Sequence, residues 1–331
     1  MSRYLRQEML PEIGTAGQAA LGRAHVLVVG AGGLGCPALQ YLTGAGIGRI
    51  TIVDADTVAL SNLHRQILFR EGDVGQGKAE MAARSLRRLN GDCAIIALPQ
   101  RLTPANVDAL LNDVDLVLDC ADSFAVSYIL NDACLARRLP LISASALGMA
   151  GYLGGFCGSA PSLRAVFPDL PGRAATCATA GVIGPLVGVI GTMQAQMALG
   201  VLTGMDPSPL GRLVTLDLGD FRVGGFRFDA AAEPEQALRF IDPGEIGVDD
   251  FVVDLRGQDE SPFPVSALAR RHSLDDFTRL RPLPGADQRA VLTCRSGLRA
   301  WQAARCLRRY WPGDITLIAM GDTPDNERLP T

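Results

Sequence analysis

The chain has 331 residues, 48% of them hydrophobic, and a formal net charge of −4 with a pI of about 5.5. This length and composition are sufficient for two domains with sizeable cores. No run of lysines and arginines is interleaved with aromatic residues, so the sequence argues against a nucleic-acid partner.

The sequence also argues against export and against a membrane. Residues 1–14 mix arginines with glutamates and have no apolar run, so we expect no signal peptide and a cytoplasmic location. The most apolar stretch, residues 181–203, contains Pro185, Gln194 and several glycines, which favours a buried helix over a membrane span. None of the eight cysteines forms a CxxC pair, so we expect reduced thiols that mostly fill the core.

Short apolar runs alternate with helical patterns through the first two thirds of the chain. In order, we predict a strand at 25–30, a helix at 33–44, strands at 49–54 and 93–98 around a helix at 78–90, and strands at 115–120 and 140–145 around a helix at 123–137. Strands that are apolar throughout are typical of a parallel sheet buried on both faces. The sequence therefore predicts an α/β fold, a Rossmann-like and mostly parallel sheet with helices on both faces.

A second, smaller α/β unit follows the segment DAAAEPEQ at residues 229–236, which has the composition of a linker. It comprises predicted strands at 251–255, 290–294 and 315–318 and a helix at 298–310. We therefore predict two domains, residues 1–235 and residues 236–331.

The first predicted strand runs into a glycine loop, GAGGLG, whose glycines are Gly30, Gly32, Gly33 and Gly35. Such a turn lets backbone N–H groups approach a phosphate at the positive end of the next helix. Asp54, at the end of the second strand, is placed to accept hydrogen bonds from ribose hydroxyls. These residues alone fit an NAD-binding unit equally well.

The next segment favours a triphosphate over a dinucleotide. It supplies Arg65 and Lys78 beside the ribose-binding strand, and a departing pyrophosphate needs such cations to balance its charge. The alternative for either residue is a solvated loop or helix start.

At this point the sequence resembles the MoeB/ThiF family of ubiquitin-activating-type adenylyltransferases. The resemblance extends to about residue 225 and is carried by RYLRQ (3–7), the glycine loop (30–35), DADTV (54–58), SNLHRQ (61–66), GQGK (75–78), LDCADS (118–123) and CATAGV (177–182). It implies ATP-dependent adenylation of the C-terminal glycine carboxylate of a small ubiquitin-like sulfur-carrier protein ending in Gly-Gly. Sulfur transfer from a donor such as a cysteine desulfurase would then give a thiocarboxylate.

The resemblance also implies roles for individual residues. Asp54 would hold the ribose, Asn62, Arg65 and Lys78 the phosphates, and Asp122 a magnesium ion. Further nucleotide contacts are expected from Asp56, Ser61, Gln66 and Ser123, although Ser123 stands where the family usually has asparagine. Arg6 resembles a residue that reaches into the partner's site of a homodimer. Cys177 resembles a crossover-loop cysteine that can bond to the carrier, the alternative being a loop cysteine with no catalytic role.

Family members commonly hold a structural zinc with two CxxC pairs. Here the first pair falls on Ser162 and Ala165, and no cysteine occurs between Gly225 and Cys294. Because structural zinc needs about four nitrogen or sulfur ligands, we expect no zinc.

Cys294 begins a predicted six-residue loop, CRSGLR, between a strand and a helix. Backbone N–H groups, Arg295 and Arg299 would there favour a thiolate or persulfide. With the DLR triplet at residues 254–256, this loop resembles that of rhodanese (sulfurtransferase) domains, although residues 236–331 are few for that fold. Cys294 is therefore predicted to carry the sulfur, the alternative being a degenerate domain kept for its shape.

Two other functions stay open on the sequence. A non-catalytic carrier-binding scaffold is compatible with Ser123 and with the missing zinc ligands. An NAD-dependent oxidoreductase is disfavoured by the pair of cations at Arg65 and Lys78.

Overall fold

Two β-sheets with packed helices form the part of the chain described by this computed structural model, residues 3–170 and 181–321. The strands are β1 His25–Val29, β2 Arg49–Val53, β3 Ala94–Leu98, β4 Leu116–Asp119, β5 Pro140–Leu147, β6 Ala150–Cys157, β7 Arg212–Asp217, β8 Arg222–Arg227, β9 Arg239–Phe240, β10 Phe251–Asp254, β11 Arg270–Arg271, β12 Ala290–Cys294 and β13 Ile315–Ala319. The helices are α1 Leu5–Glu8, α2 Gly14–Leu21, α3 Gly35–Ala45, α4 Lys78–Leu89, α5 Val107–Leu110, α6 Phe124–Arg137, α7 Leu163–Val166, α8 Gly184–Leu202, α9 Leu274–Arg279 and α10 Leu298–Leu307.

The larger sheet has the strand order β3-β2-β1-β4-β5-β6-β7-β8. Its first five strands are parallel, with Val26 paired to Ile50 of β2 and to Leu116 of β4. Every residue of β1 is buried, as expected for a strand covered by helices on both faces. The predicted mostly parallel sheet is confirmed, and its parallel strands end along one common edge.

Strands β6, β7 and β8 complete the larger sheet in antiparallel order. Strands β6 and β8 were not predicted from the sequence. Both contain glycine pairs, and all six residues of β8 are exposed, so neither shows the alternating or continuous apolar pattern of a strand. The structure explains the glycine at position 155, because a Cβ there would lie 2.7 Å from the Pro209 carbonyl oxygen.

Helix α8 is the apolar segment that was predicted to be a buried helix. By length and hydropathy it could cross a membrane, but half of its most apolar 18-residue segment is buried inside the protein. It packs against α3 and β5, and Leu186 and Ile190 have no exposed surface. It is a core helix of this fold.

The smaller sheet is parallel throughout, in the order β11-β10-β12-β13-β9. One hydrophobic cluster continues from the larger sheet into this unit and includes Tyr128, Phe156, Phe240 and Trp301. The Tyr128 and Trp301 rings lie 5.3 Å apart. The two sheets therefore share a core, and the division of the chain at residue 235 stays a prediction.

Candidate functional site

The glycine loop forms a tight turn between β1 and α3. Gly30 has φ +97°, a conformation that favours glycine, and a Cβ there would lie 2.6 Å from the Cys120 carbonyl oxygen. A Cβ on Gly35 would overlap the Gly30 carbonyl. Helix α3 begins at Gly35 rather than at the predicted Gly33, so Gly32 and Gly33 belong to the turn. The first N–H groups of α3 thus face the carboxyl edge of the sheet.

Gln66 lies beneath this loop with an unsatisfied oxygen. Its side chain is 3% exposed, and its Nε2 lies 3.7 Å from where a Cβ on Gly32 would stand. Its Oε1 accepts no hydrogen bond from the described part of the chain. A buried orphan acceptor costs roughly 1–3 kcal/mol. A polar ligand at the glycine loop could satisfy this side chain, by donating to Oε1 or by accepting from Nε2.

The segments DADTV and GQGK pair through an antiparallel bridge between Thr57 and Gly77, and this pairing is called the ribbon below. The ribbon carries Asp54, Asp56 and Lys78. The Lys78 N–H donates to the Asp56 carbonyl at 2.8 Å, and Lys78 Nζ pairs with Asp56 Oδ2 at 2.9 Å. Asp54 accepts hydrogen bonds from the N–H groups of Ala31 (2.7 Å) and Asp56 (2.8 Å). Burial raises the pKa of Asp54, and the Ala31 N–H opposes that shift. The carboxylate thereby ties the ribbon to the glycine loop.

The turn between the two segments of the ribbon carries Ser61, Asn62 and Arg65. Arg65 Nη1 donates to the Ser61 carbonyl at 3.3 Å and lies 2.8 Å from His64 Nε2. Ser61 is exposed, and the Asn62 carbonyl accepts from the Gln66 N–H at 3.0 Å. The Arg65 guanidinium is thus held by residues of its own turn.

The end of β4 brings acidic groups to the same edge. Asp119 is fully buried, whereas Asp122, two residues beyond Cys120, is exposed. Helix α6 begins at Phe124 with Ser123 as its N-cap residue, so Asp122 does not cap this helix. Its carboxylate faces solvent beyond the strand end, where parallel sheets bind ligands. Asp119 was not predicted from the sequence, although a charged residue ending an apolar strand was a usable signal.

Close contacts link these segments into one site: Gly30 to Cys120, Ala31 to Asp54, and the start of α8 at Gly184 to the His64 carbonyl. The structure therefore brings together the predicted glycines and the predicted residues on the turns after β2 and β4.

One predicted residue lies away from this site, and another falls outside the residues that the structure describes. Arg6 lies on α1, which is attached to the opposite edge of the sheet by the hydrogen bonds of Gln7 to the Ala45 carbonyl (3.0 Å) and of Asn90 to Tyr4 (2.8 Å). Arg6 is exposed and does not serve the site of its own chain. Cys177 lies outside the described residues.

Hydrogen bonds connect the segments where the family commonly holds zinc. Ser162 is fully buried and donates to Glu233 from its N–H (2.7 Å) and its hydroxyl (2.5 Å). The same hydroxyl caps α7 by accepting from the Arg164 and Ala165 N–H groups. Within residues 3–170 and 181–321, no three His, Cys, Asp or Glu side chains are grouped to hold a metal ion. The absence of zinc stays a prediction.

Cys294 is the last residue of β12, at the carboxyl edge of the smaller sheet. Its side chain has no exposed surface, and its Sγ accepts from the Ala300 N–H at 3.4 Å. Burial raises the pKa of the thiol, although nearby N–H groups and the Arg299 charge oppose the shift. Helix α10 begins at Leu298, as predicted, so Leu298 and Arg299 of the CRSGLR segment belong to the helix. In this structure burial therefore opposes a thiolate at Cys294, and the role of this thiol in carrying sulfur stays a prediction.

A cleft of about 440 Å³ lies beside Arg299, with Arg256, Arg271 and His272 in its wall. Arg256 forms a buried pair with Asp254 at 2.8 Å. Arg299 bonds to the Leu255 carbonyl (2.9 Å) and to Glu260 (2.5 Å). The arginines are therefore held by protein groups, and the Arg299–Glu260 pair lies next to Cys294.

Comparison with known proteins finds similar sequences among curated relatives. The cattle (Bos taurus) protein named adenylyltransferase and sulfurtransferase MOCS3 is 46% identical over 225 residues, which cover 66% of this chain and 50% of that protein. The pig (Sus scrofa) protein of the same name is 45% identical over 218 residues, 65% of this chain and 48% of that protein. The chain spans about half the length of the curated relatives that it matches.

Among solved structures, E. coli MccB has a similar fold. The crystal structure of MccB + MccA-N7isoASN has a TM-score of 0.62 at 20% identity, and the match covers 70% of this chain and 75% of that one. The crystal structure of MccB + ATP has a TM-score of 0.59 at 21% identity, and the match covers 71% and 73%. Residues 4–238 match the ThiF family, and the chain belongs to that family.

Proposed function

We propose that this chain uses ATP to adenylate the C-terminal carboxylate of a small ubiquitin-like sulfur-carrier protein. The observation that carries the proposal is the carboxyl edge of the larger sheet, where the segments that follow its strands carry a glycine loop, the orphan oxygen of Gln66, the cation of Lys78 and the exposed carboxylate of Asp122. The names of the cattle and pig relatives support adenylyl transfer, and the crystal structure of MccB + ATP supports the nucleotide.

The chemistry asks mainly for alignment and charge. The carrier carboxylate is already ionised at neutral pH and attacks the α-phosphorus of ATP, so no general base is required. Lys78 exchanges Asp56 for a phosphate oxygen, and Arg65 leaves its own turn to balance the charge that builds on pyrophosphate. Asp122 would hold Mg²⁺, which supplies further positive charge to the phosphate oxygens. One carboxylate is sufficient for this role, because Mg²⁺ takes its other ligands from phosphates and water.

ATP–pyrophosphate exchange with a panel of purified Gly-Gly-ending carriers tests the proposal. We expect exchange with at least one carrier, and a loss of at least about 100-fold in Asp122→Ala, the scale for removing one key electrostatic group. Asp108→Ala is a matched control, because Asp108 is an exposed aspartate paired with Arg137 at the far end of α6. Exchange at the wild-type rate in Asp122→Ala would remove that residue from the mechanism.

We extend the proposal to sulfur transfer by Cys294, with a donor such as a cysteine desulfurase, and to a homodimer in which each chain's Arg6 serves its partner. The outer sulfur of a Cys294 persulfide would displace AMP from the acyl-adenylate, and an external dithiol reductant would then cleave the resulting acyl disulfide to release the carrier thiocarboxylate and the Cys294 thiol. The neighbouring N–H groups and Arg299 support Cys294 as the sulfur carrier once the Arg299–Glu260 pair opens. Cys294→Ala should keep pyrophosphate exchange, which uses no thiol, and should lose the carrier thiocarboxylate as read by mass spectrometry. Undiminished thiocarboxylate would assign sulfur delivery to another thiol or another protein.

A further inference from the structure

A buried polar network supports the turn that carries Asp122. Asp119 has no exposed surface and accepts hydrogen bonds from the Ser143 hydroxyl at 2.7 Å and from the Ala121 N–H at 3.2 Å. Ala121 immediately precedes Asp122. The Asp119 carboxylate therefore fixes the backbone from which the Asp122 side chain projects.

Gln194 of α8 holds the same turn from the other side. It is fully buried, and its Nε2 donates to the Asp119 carbonyl at 2.9 Å and more weakly to the Ile142 carbonyl at 3.4 Å. Its Oε1 accepts from the Cys120 thiol at 3.5 Å. The amide thus joins α8 to the end of β4 and to Ile142 within β5.

Stability alone gives no reason for this arrangement. Removing a carboxylate from water is costly, and apolar residues of similar volume are often as stable or more stable in such positions. The network does hold the backbone of residues 119–122 in one conformation. The Cys120 carbonyl of that backbone lies against Gly30, so the same support reaches the glycine loop.

We propose that Asp119, Ser143 and Gln194 are positioning residues that set the affinity of Asp122 for a divalent metal ion. The inference rests on the proposed metal role of Asp122. Hydrogen-bonding groups behind a metal ligand typically change metal affinity by about 10–100-fold when removed. We expect the lower end of that range for Ser143→Ala, since the Ala121 N–H still holds Asp119.

Direct metal binding tests the inference without relying on turnover. Mn²⁺ is titrated into the full-length protein with the ATP analogue AMPCPP, and the free-Mn²⁺ signal is followed by electron paramagnetic resonance. Ser143→Ala should raise the Mn²⁺ dissociation constant about tenfold and should leave metal-free AMPCPP binding unchanged. Thr51→Ala is the matched control, because it removes a buried strand hydroxyl hydrogen-bonded at 2.8 Å to His25, at the start of β1. It should cost similar stability and leave Mn²⁺ affinity unchanged.

The outcomes separate this inference from the proposed function. If Asp122→Asn loses Mn²⁺ binding while Ser143→Ala and Asp119→Asn both keep wild-type affinity, the positioning role is overturned and the metal site stands. If Asp122→Asn also keeps wild-type affinity, both fall. Asp119→Asn preserves the size of the side chain and provides the second measurement should Ser143→Ala fail to fold.

Discussion

Replacing Arg164 with methionine should destabilise the contact between the two sheets. Arg164 is 2% exposed, and its guanidinium binds both carboxylate oxygens of Asp132 at 2.6 and 2.9 Å. It also donates to the Leu238 carbonyl at 2.9 Å. The same group lies 4.3 Å over the Tyr128 ring and 5.7 Å from Trp301 of α10. One side chain thus contacts both units.

The expected cost follows from what the substitution leaves behind. Removing one partner of a buried ion pair typically costs about 3–5 kcal/mol, because the other charge stays desolvated. The Asp132 side chain is 29% exposed and regains some water, so we expect about 3 kcal/mol, the lower end. Methionine retains most of the apolar contact with the two rings, which limits the loss to the polar interactions.

Urea unfolding of Arg164→Met, Asp132→Asn and the double variant measures this cost and its origin. The double variant should lose less than the sum of the single losses, with a coupling of at least about 1 kcal/mol. Arg305→Ala is the control on the same interface, because its pair with Asp169 is 3.6 Å long and about half exposed, and it should cost less than about 1 kcal/mol. Additive losses, or an equal cost in Arg305→Ala, would refute the assignment.

Four further results are expected from the sequence and the structure. Arg6→Ala and Lys78→Ala, each inactive in pyrophosphate exchange alone, should partly complement one another when mixed, since Arg6 lies at the edge opposite to its own site. Burial raises the pKa of Asp119 to about 6, above the ordinary aspartate value of about 3.9. The folded state thus favours the neutral acid. In thermal melts, the stability of the wild type relative to Asp119→Asn should fall as the pH rises from about 3.9 to about 6, and this stability difference should not change further at higher pH. Burial also raises the pKa of Cys294, so iodoacetamide at neutral pH should modify the half-buried Cys306 before Cys294, as read by peptide mass spectrometry. Elemental analysis after dialysis should show far less than one zinc per chain.

Each of these has a contrary outcome. A fully active monomer by light scattering would contradict the exchange of Arg6 between chains. Parallel pH curves for the wild type and Asp119→Asn would mean that the carboxyl does not titrate in that range. Preferential alkylation of Cys294 would show an accessible thiolate, and stoichiometric zinc would reveal ligands that were not recognised in the sequence.

The sequence predicted the parallel half of the fold because its signals are local. An apolar strand such as β1 and a glycine loop such as Gly30–Gly35 are set by neighbouring residues. The edge strand β8 was missed because glycines and exposed residues give it no pattern. Arg65 and Lys78 were identified, but their present partners, the Ser61 carbonyl and Asp56, depend on side-chain orientations that no spacing encodes.

Burial was the property that the sequence could not supply. The loop around Cys294 has the donors and arginines of an anion site, yet the fold covers the thiol and pairs Arg299 with Glu260. Asp119 and Gln194 could not be recognised from the sequence, because neither lies in a pattern that indicates a role. Their role is indicated only by the structure, in which both are fully buried and hydrogen-bonded to the same turn.

The shared core connects the two candidate sites. Tyr128 lies one turn into α6, which starts beside Asp122, and Trp301 lies one turn into α10, which starts beside Cys294. Because these two rings pack 5.3 Å apart with Arg164 against both, the starts of the two helices are held by one cluster. A swing of the second unit would break that cluster and expose apolar surface. If sulfur from Cys294 reaches the adenylated carrier, the motion is therefore expected in the carrier tail and in the Arg299–Glu260 pair, and not in a hinge at the linker.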